Sequence, residues 1–167
     1  MNLLRKPATV LDIDGVLADV THRIHLVASA PRRWGEFVYA ADEDSLIPEG
    51  ARIASDALRD GNLLVLVTGR PCCVRKITVD WLDSNGIHAD ELHMRAAGDR
   101  RPARTLKADF VREICRRFDI VKYVDDDPDV VRAIEAMRSS VPIGEVVLFI
   151  NSTSKAVHVG QEIEGRT

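Results

Sequence analysis

Two short acidic segments stand far apart in this 167-residue chain, and each comes directly after an apolar run. They are Asp12-Ile13-Asp14-Gly15 and Asp125-Asp126-Asp127, and between them the chain carries Thr68-Gly69-Arg70 and Lys107. Carboxylates crowded just beyond buried strands lose hydration and repel one another, so their ionised forms need a divalent cation. The ordered set predicts a magnesium-dependent site for phosphate transfer.

The first acidic segment has the residues for covalent catalysis. Asp12 follows Val10-Leu11 at the tip of a predicted buried strand, where its carboxylate is held rigidly enough to attack phosphorus in line. We expect Asp12 to be the nucleophile that forms an aspartyl phosphate. Asp14 lies two residues later, and Gly15 permits the sharp turn that brings it back toward the leaving oxygen, as general acid and then general base.

The middle two segments predict a cradle for the phosphoryl group. Thr68 offers a hydroxyl, and Gly69 and Arg70 follow it where exposed backbone N–H groups can approach phosphoryl oxygens. Lys107 adds a compact positive charge at the start of a predicted helix. Loss of one such preorganised donor typically costs about 2.7–4 kcal/mol of transition-state stabilisation.

The expected metal is Mg²⁺. Its predicted ligands are Asp12, Asp14, Asp125 and Asp126, and Asp14 can also offer its backbone carbonyl. Mg²⁺ prefers octahedral oxygen coordination and keeps several waters, so one or two carboxylates plus the phosphate suffice. The pattern does not decide whether Asp125 or Asp126 binds the ion directly. Asp127 is followed by proline and is expected to cap a helix instead.

Strand-like and helix-like segments alternate along the chain. Continuous apolar, β-branched runs predict strands covered on both faces at 8–11, 63–67, 120–124 and 146–150, with a short extra strand at 91–94. Amphipathic stretches predict helices at 49–60 and 73–85, one with the apolar stripe Leu106, Phe110, Ile114 and Phe118, and one that starts after Asp127. The alternation predicts an α/β fold with a doubly wound, Rossmann-like parallel sheet that gathers ligands at the carboxyl ends of its strands.

Residues 21–48 interrupt this rhythm directly after the first acidic segment. The stretch is rich in arginine, histidine and aromatic residues and predicts a small helical, cap-like insert over the site. His22 and His25 lie one helical turn apart, but without a nearby cysteine or third histidine they favour a surface helix or lid face over a metal pair. Trp34 and Phe37 favour packing of the insert over stacking on a nucleobase.

Length and composition limit the remaining possibilities. With 46% hydrophobic and 29% charged residues, we expect residues 1–167 to form one domain around one core. A net charge of −3 provides no global field toward nucleic acid or membranes, so anion binding must be local. No run has membrane-spanning length, and the N-terminal stretch does not resemble a signal peptide. Three cysteines without a CxxC pair favour reduced thiols in the cytoplasm, and the oligomeric state stays open, with a homo-oligomer possible.

Four arginines precede the lysine segment in a loop-like stretch that also contains glycine and proline. They are Arg95, Arg100, Arg101 and Arg104. Such a run is usually only solvated, but here it lies where a polyanionic substrate can pass. The two interpretations weigh about equally on the sequence alone.

Together these residues resemble the four motifs of the haloacid dehalogenase (HAD) superfamily of phosphotransferases. The matching segments are Asp12-Ile13-Asp14-Gly15, Thr68, Lys107 and Asp125-Asp126, and the resemblance spans residues 8–150. Within that superfamily the chain is similar to the phosphatase half of phage-type polynucleotide kinase/phosphatases, through residues 65–70, 94–101 and 123–126. The resemblance implies removal of 3′-phosphates from nucleic acid ends.

Three departures qualify what the resemblance implies. Val16 stands where many relatives have threonine, which should change the turn little. No GxxxxGK[ST] phosphate loop occurs, so the 5′-kinase activity of the bifunctional enzymes is not expected. The insert is too short for a large cap domain, which implies an open site that admits a chain end.

Two other functions compete with a polynucleotide 3′-phosphatase. A phosphatase of free nucleotides or small metabolites needs the same motifs and differs only in what surrounds them. A receiver-type signalling module also combines aspartates, threonine and lysine, and in it the phosphoaspartate is the signal. Asp14, placed for acid–base work, argues against the receiver, and the complete set of reactive groups argues against a non-catalytic binding protein.

Overall fold

The computed structural model describes residues 5–151, and five parallel strands form its central sheet. In chain order these strands are β1 (Lys6–Leu11), β4 (Leu63–Pro71), β5 (Glu91–Arg95), β6 (Phe118–Asp125) and β7 (Ile143–Leu148). Their order across the sheet is β5-β4-β1-β6-β7. The chain therefore winds outward from β1 in both directions, which confirms the predicted fold class.

The central strand β1 is apolar because the sheet is covered on both faces. Val10 and Leu11 point to opposite faces, as neighbours in a strand must, and both are fully buried. Val10 lies in the core cluster that also contains Ile134, whereas Leu11 lies in the one that contains Trp81. Two cores of similar character therefore fix β1, and with it Asp12, from both sides.

Four amphipathic helices cover the sheet. They are α2 (Pro48–Arg59), α3 (Arg75–Ser84), α4 (Ala103–Ile114) and α5 (Pro128–Met137). Side chains of α4 and α5 line the first core, and side chains of α2 and α3 line the second. Asp127 caps α5 as predicted, because its carboxylate accepts hydrogen bonds from the backbone N–H groups of Asp129 and Val130.

Several element boundaries differ from the sequence prediction. Phe118 opens β6 rather than extending the preceding helix, since α4 ends at Ile114. A 3-10 turn, Cys72–Val74, precedes α3, which begins at Arg75. The last strand starts at Ile143 and ends at Leu148, earlier than predicted, because it is an edge strand with exposed positions and its apolar run marks only part of it.

The insert is built from short elements around a small ribbon. A 3-10 helix (Thr21–Leu26), α1 (Trp34–Tyr39) and a second 3-10 helix (Ala40–Glu43) confirm the largely helical prediction. The antiparallel strands β2 (Ala18–Asp19) and β3 (Ser45–Leu46) join its two ends. The C-terminal stretch of the sequence, residues 152–167, shows only weak patterning and lies outside the described residues. Within residues 5–151, no helix has both the length and the apolar character needed to cross a membrane.

Gly50 allows α2 to pack directly against the turn that follows the first acidic segment. A Cβ atom at Gly50 would lie 1.8 Å from the carbonyl oxygen of Val16, which is backbone and cannot simply rotate away. We therefore expect Gly50→Ala to lower the free energy of unfolding by about 1–3 kcal/mol. Urea denaturation measures the change, with Gly35→Ala as the matched control because a Cβ atom at Gly35 would have no neighbour within 4 Å. Equal losses in the two variants would contradict this packing.

Candidate active site

The predicted site residues meet at the carboxyl end of the sheet. Asp12 directly follows β1, and its backbone N–H donates to the carbonyl of Val124 at 3.0 Å, beside Asp125 at the end of β6. Lys107 reaches the same point from the second turn of α4 and is fully buried. Because parallel strands end at one edge, segments more than a hundred residues apart converge here.

Three carboxylates form a compact acidic cluster. Asp12, Asp125 and Asp126 each offer one oxygen, and these oxygens all lie within 4.8 Å of one another. Their exposed fractions are 1%, 0% and 1%, so bulk water does not screen them. The carboxylate of Asp14 is not in this group, and its predicted metal contact would use the backbone carbonyl.

The carboxylate of Asp125 has hydrogen-bond donors at both oxygens, whereas the carboxylate of Asp126 has none among the described residues. Asp125 Oδ2 accepts from Lys107 Nζ and from the Tyr123 hydroxyl, both at 2.8 Å, and its Oδ1 accepts from the backbone N–H of Asp127. In the described part of the chain, neither carboxylate oxygen of Asp126 has a hydrogen-bond partner. Asp126 is therefore better placed than Asp125 to bind a cation directly, a choice that the sequence left open.

Asp12 has a positively charged neighbour, but its carboxylate oxygens lack well-oriented hydrogen-bond donors in the described part of the chain. Lys107 Nζ lies 2.8 Å from Asp12 Oδ2, although within residues 5–151 neither oxygen of Asp12 accepts a hydrogen bond of acceptable geometry. Burial raises the pKa of Asp12 to about 8, against the attraction of Lys107. Burial and the nearby Asp12 and Asp125 also raise the pKa of Asp126. Buried carboxylates without enough donors are what a hard divalent cation stabilises, so the residues present fit Mg²⁺.

Gly15 is required for the close approach of the two acidic segments. Its φ is 80°, in the left-handed region, and a Cβ atom there would lie 2.0 Å from Asp126 Oδ2. A larger residue would displace the carboxylate of Asp126. The glycine of the first motif therefore serves the second acidic segment as well as the turn.

Asp14 belongs to a second, arginine-rich cluster. Arg70 Nη2 lies 2.6 Å from Asp14 Oδ1 and 2.7 Å from Asp44 Oδ2, while Arg23 Nη2 lies 3.0 Å and 2.7 Å from the same two oxygens. The two arginine side chains are 1% exposed. The charges of two carboxylates and two guanidinium groups thus compensate each other in a largely buried cluster beside the three carboxylates.

This arrangement sets the charge of Asp14. Burial opposes its ionisation, but the guanidinium groups of Arg70 and Arg23 outweigh burial and lower the pKa of Asp14 to about 2. Asp14 is therefore a carboxylate at neutral pH, the form of a general base. To act first as a general acid, it must gain a proton after an arriving phosphate has weakened one of its arginine contacts.

Sequence reasoning missed Arg23 and Asp44. Arg23 appeared only as part of the arginine- and histidine-rich insert, and no role was assigned to Asp44 from the sequence. In the structure Asp44 also accepts from Arg23 Nε at 2.7 Å and bonds His22 Nε2 at 2.8 Å, and its backbone carbonyl accepts from the Trp81 indole N–H. His22 therefore pairs with a carboxylate, in agreement with the rejection of a His22–His25 metal pair.

The phosphate-binding candidates occupy the adjoining strand end. Thr68 is fully buried, and its hydroxyl accepts a hydrogen bond from the backbone N–H of Arg70 at 3.1 Å. The carbonyl of Gly69 accepts from Arg95 Nε at 3.0 Å. The guanidinium of Arg70 is engaged by Asp14 and Asp44, so its contact with phosphate, like the role of Thr68, stays a prediction.

The run of four arginines divides into different environments. Arg101 is held by Asp99 and Asp109, at 2.7 Å and 2.5 Å, and thus organises its own loop. Arg95 is 6% exposed and lies against the active-site strand end. Arg100 is exposed beside Arg95 at a surface cavity. The solvated interpretation suits Arg101, whereas Arg95 and Arg100 are placed where a substrate can reach them.

Asp126→Asn tests the open carboxylate. Because burial and the nearby Asp12 and Asp125 already favour the neutral form of Asp126 when no metal is bound, this change should alter the melting temperature of the metal-free protein little. The same change should remove most of the stabilisation that Mg²⁺ gives the unaltered protein. Differential scanning calorimetry with EDTA and with millimolar Mg²⁺ measures both effects. An unchanged Mg²⁺ response would contradict direct binding by Asp126.

Asp44→Asn tests the arginine cluster. Removing this anion leaves two buried guanidinium groups with one carboxylate, so we expect a loss of about 3–5 kcal/mol in the free energy of unfolding. Asp56→Asn is the matched control, because Asp56 pairs with Arg59 on the exposed face of α2 and should cost less than about 1 kcal/mol. Chemical denaturation measures both variants, and similar losses would mean that Asp44 is not structurally special.

Comparisons with known proteins give matches to one family model and to solved structures. A family model described as the polynucleotide kinase PNKP phosphatase domain matches residues 6–141. No curated protein matches the chain. A chain in a solved Pnkp1/Rnl/Hen1 RNA repair complex is similar at 26% identity with a TM-score of 0.66, and the match covers 85% of this chain and 42% of that one. This protein thus spans less than half the length of the chain that it matches.

More distant structures share the fold. The class C acid phosphatase from Bacillus anthracis, solved with tungstate bound, is 15% identical with a TM-score of 0.60, covering 96% of this chain and 80% of that one. A hydrolase from Streptococcus pneumoniae TIGR4 is 13% identical with a TM-score of 0.57, covering 94% and 99%. With most of its length matched by the family model, the chain belongs to the PNKP phosphatase-domain family and is a HAD-type phosphatase domain.

Proposed function

We propose that this protein is a Mg²⁺-dependent phosphomonoesterase that removes 3′-phosphates from polynucleotide ends through an aspartyl phosphate. The observation that carries the proposal is the state of Asp12. Its carboxylate is 1% exposed, lies 2.8 Å from Lys107 and, in the described structure, accepts no hydrogen bond that would occupy its oxygens. A buried carboxylate at a strand end that has an ionic neighbour at one oxygen and an open second oxygen is suited to attack a phosphorus atom.

In the first step an Asp12 oxygen forms a bond to phosphorus while the bond to the leaving 3′-oxygen breaks. Lys107 stays charged throughout, because Asp12 and Asp125 outweigh its burial and raise its pKa. Its ammonium group therefore offsets negative charge on the phosphoryl oxygens. Asp14, once protonated, gives its proton to the leaving oxygen and so releases a free hydroxyl.

In the second step water attacks the phosphorus and the bond to Asp12 breaks. Asp14 is now a carboxylate and takes one proton from that water, so the products are inorganic phosphate and the original Asp12 carboxylate. Arg70 and Arg23, which lie 2.6 Å and 3.0 Å from Asp14, favour this ionised form. The same pair of arginines thus prepares the site for hydrolysis of the intermediate.

Asp12 and Asp126 would hold the metal, together with the backbone of Asp14, and Asp125 would support them. When bound, Mg²⁺ would reduce the repulsion between the carboxylates and the incoming phosphate. Asp125 is already bonded to Lys107, Tyr123 and a backbone N–H group, which suits a residue that orients the others.

The choice of a polynucleotide 3′-phosphate is supported by family membership and by likeness to a chain from an RNA repair complex. A phosphatase of free nucleotides or small metabolites remains the competing function. It differs in one measurable respect, since it would gain nothing from additional nucleotides on the substrate. The two are therefore separated by substrate length and not by the chemistry of the motifs.

A substrate panel tests the proposal. Turnover with Mg²⁺ should be greatest for oligonucleotides with a 3′-phosphate, compared with 5′-phosphorylated oligonucleotides, nucleoside monophosphates and sugar phosphates. EDTA should abolish it. Asp12→Asn should lower turnover by more than about 10⁴-fold on every substrate, as expected for a nucleophile. Asp80→Asn is the control, because the carboxylate of Asp80 forms an exposed pair with Lys76 on α3.

Trapping of the intermediate tests the covalent step. Acid quenching of the protein with a ³²P-labelled substrate should leave label on the unaltered chain and none on the Asp12→Asn variant. The label should disappear rapidly in a chase, whereas a receiver-type module would retain it. Turnover that persists in EDTA, or labelled Asp12→Asn protein, would contradict the proposed mechanism.

A further inference from the structure

A cavity of about 430 Å³ lies beside the active site, between the insert and the loop after β5. Its walls are Trp34, Gly35, Val38, Pro71, Arg95, Asp99 and Arg100. The first three belong to or border the exposed side of α1, and the last three belong to the arginine-rich stretch. A volume of this size falls in the range of small-molecule binding sites.

On two sides, residues of the cavity wall are connected to the residues that hold Asp14. Pro71 directly follows Arg70, which binds Asp14, and Arg95 donates to the carbonyl of Gly69 at 3.0 Å. On the insert side, Trp34 packs edge-to-face on Phe37, with ring centroids 5.8 Å apart. The carbonyl of Phe37 accepts from Arg23, and the Arg23 guanidinium lies 4.2 Å from the Phe37 ring centroid. A molecule in the cavity therefore touches the same scaffold that holds Asp14.

Arg95 is held in a fixed orientation and can donate a hydrogen bond to an anion in this cavity. Three of its possible hydrogen bonds are made to the carbonyls of Gly69, Asp99 and Arg101, which fix the guanidinium plane. Its side chain belongs to a residue that is only 6% exposed, yet within the described residues Nη2 has no hydrogen-bond partner. This nitrogen lies 3.7 Å from the position of a Cβ on Gly69, the residue between Thr68 and Arg70 in β4.

The charge of the cavity wall is positive. Asp99 is the acidic residue of the wall, and its carboxylate is occupied by Arg101, which lies 2.7 Å away and lowers the pKa of Asp99 to about 2. Arg95 and Arg100 are left to face an incoming anion. Trp34 and Val38 supply the apolar part of the wall, so the cavity combines an aromatic side chain with anion donors.

We propose that this cavity binds the terminal nucleoside of the substrate, with its base against Trp34 and the phosphodiester on its 5′ side against Arg95 Nη2 and Arg100. The proposal rests on the proposed function, since the terminal 3′-phosphate must lie at Asp12. It reverses the sequence-based interpretation of Trp34, which favoured packing alone. A free anion would not use the aromatic wall, and an apolar ligand would leave Arg95 Nη2 buried and unpaired.

Substrate length and the Trp34 variant test the proposal kinetically. Trp34→Ala should lower the ratio of kcat/KM for a 3′-phosphorylated dinucleotide to that for p-nitrophenyl phosphate by about tenfold, the usual effect of losing one stacked base. Tyr39→Ala, which removes an exposed aromatic side chain from the same helix, is the matched control. A ratio unchanged in Trp34→Ala would overturn the role of Trp34.

The arginines are tested through the 5′ phosphodiester. The dinucleotide should be a better substrate than a nucleoside 3′-monophosphate, and Arg100→Ala and Arg95→Gln should each reduce this preference several-fold. Arg59→Ala, an exposed arginine on α2 paired with Asp56, is the control. Because Arg95 also holds its loop, Arg100→Ala decides the outcome if Arg95→Gln fails to fold. An undiminished preference in Arg100→Ala would overturn the phosphodiester contact.

Binding without turnover separates this proposal from the proposed function. In the Asp12→Asn protein, the 3′-phosphorylated dinucleotide should quench tryptophan fluorescence, and the additional change Trp34→Phe should remove that quenching. A dinucleotide that lacks the terminal base but keeps both phosphates should not quench. Quenching that survives Trp34→Phe would overturn the subsite. If the unaltered protein hydrolysed no phosphate ester while the dinucleotide still quenched Trp34, the phosphatase function alone would be overturned.

Discussion

The structure depends on a charge imbalance that the fold holds in place. Asp12, Asp125 and Asp126 converge within 4.8 Å, and Lys107 supplies one positive charge among them. With all four groups ionised, three negative charges and one positive charge leave a net of −2, which equals the charge that a divalent ion compensates. Two packed cores on either side of the sheet prevent the carboxylates from moving apart. The energetic cost of this arrangement is therefore tied to its ability to bind a cation.

A neighbouring set of charges is balanced and has the opposite character. Asp14 and Asp44 face Arg23 and Arg70, so two negative charges meet two positive ones in a buried network. The acidic cluster can accept a ligand because it is incomplete, whereas the arginine cluster holds Asp14 because it is complete. Asp14 thus stays outside the group of three carboxylates although only one residue separates it from Asp12.

The sequence predicts the acidic cluster well because each member follows a buried strand, and parallel topology brings strand ends together. It could not choose between Asp125 and Asp126, since that depends on which side chain meets Lys107 and Tyr123. Arg23 and Asp44 escaped prediction because they lie in a segment without helix or strand periodicity, and their partners are distant in sequence. The edge strand β7 was misplaced for a related reason: half-exposed positions dilute its apolar signal.

The Trp81 indole N–H donates to the carbonyl of Asp44 at 2.7 Å, and this hydrogen bond helps to connect the insert to α3. Near the other end of the insert, Arg23 pairs with Asp14, so the insert is anchored to the rest of the domain at two points. Swinging the insert away would strip buried ions of their partners. The insert is therefore expected to stay in place when a substrate binds. Access of the substrate to the active site is then governed by the shape of the insert's outer surface.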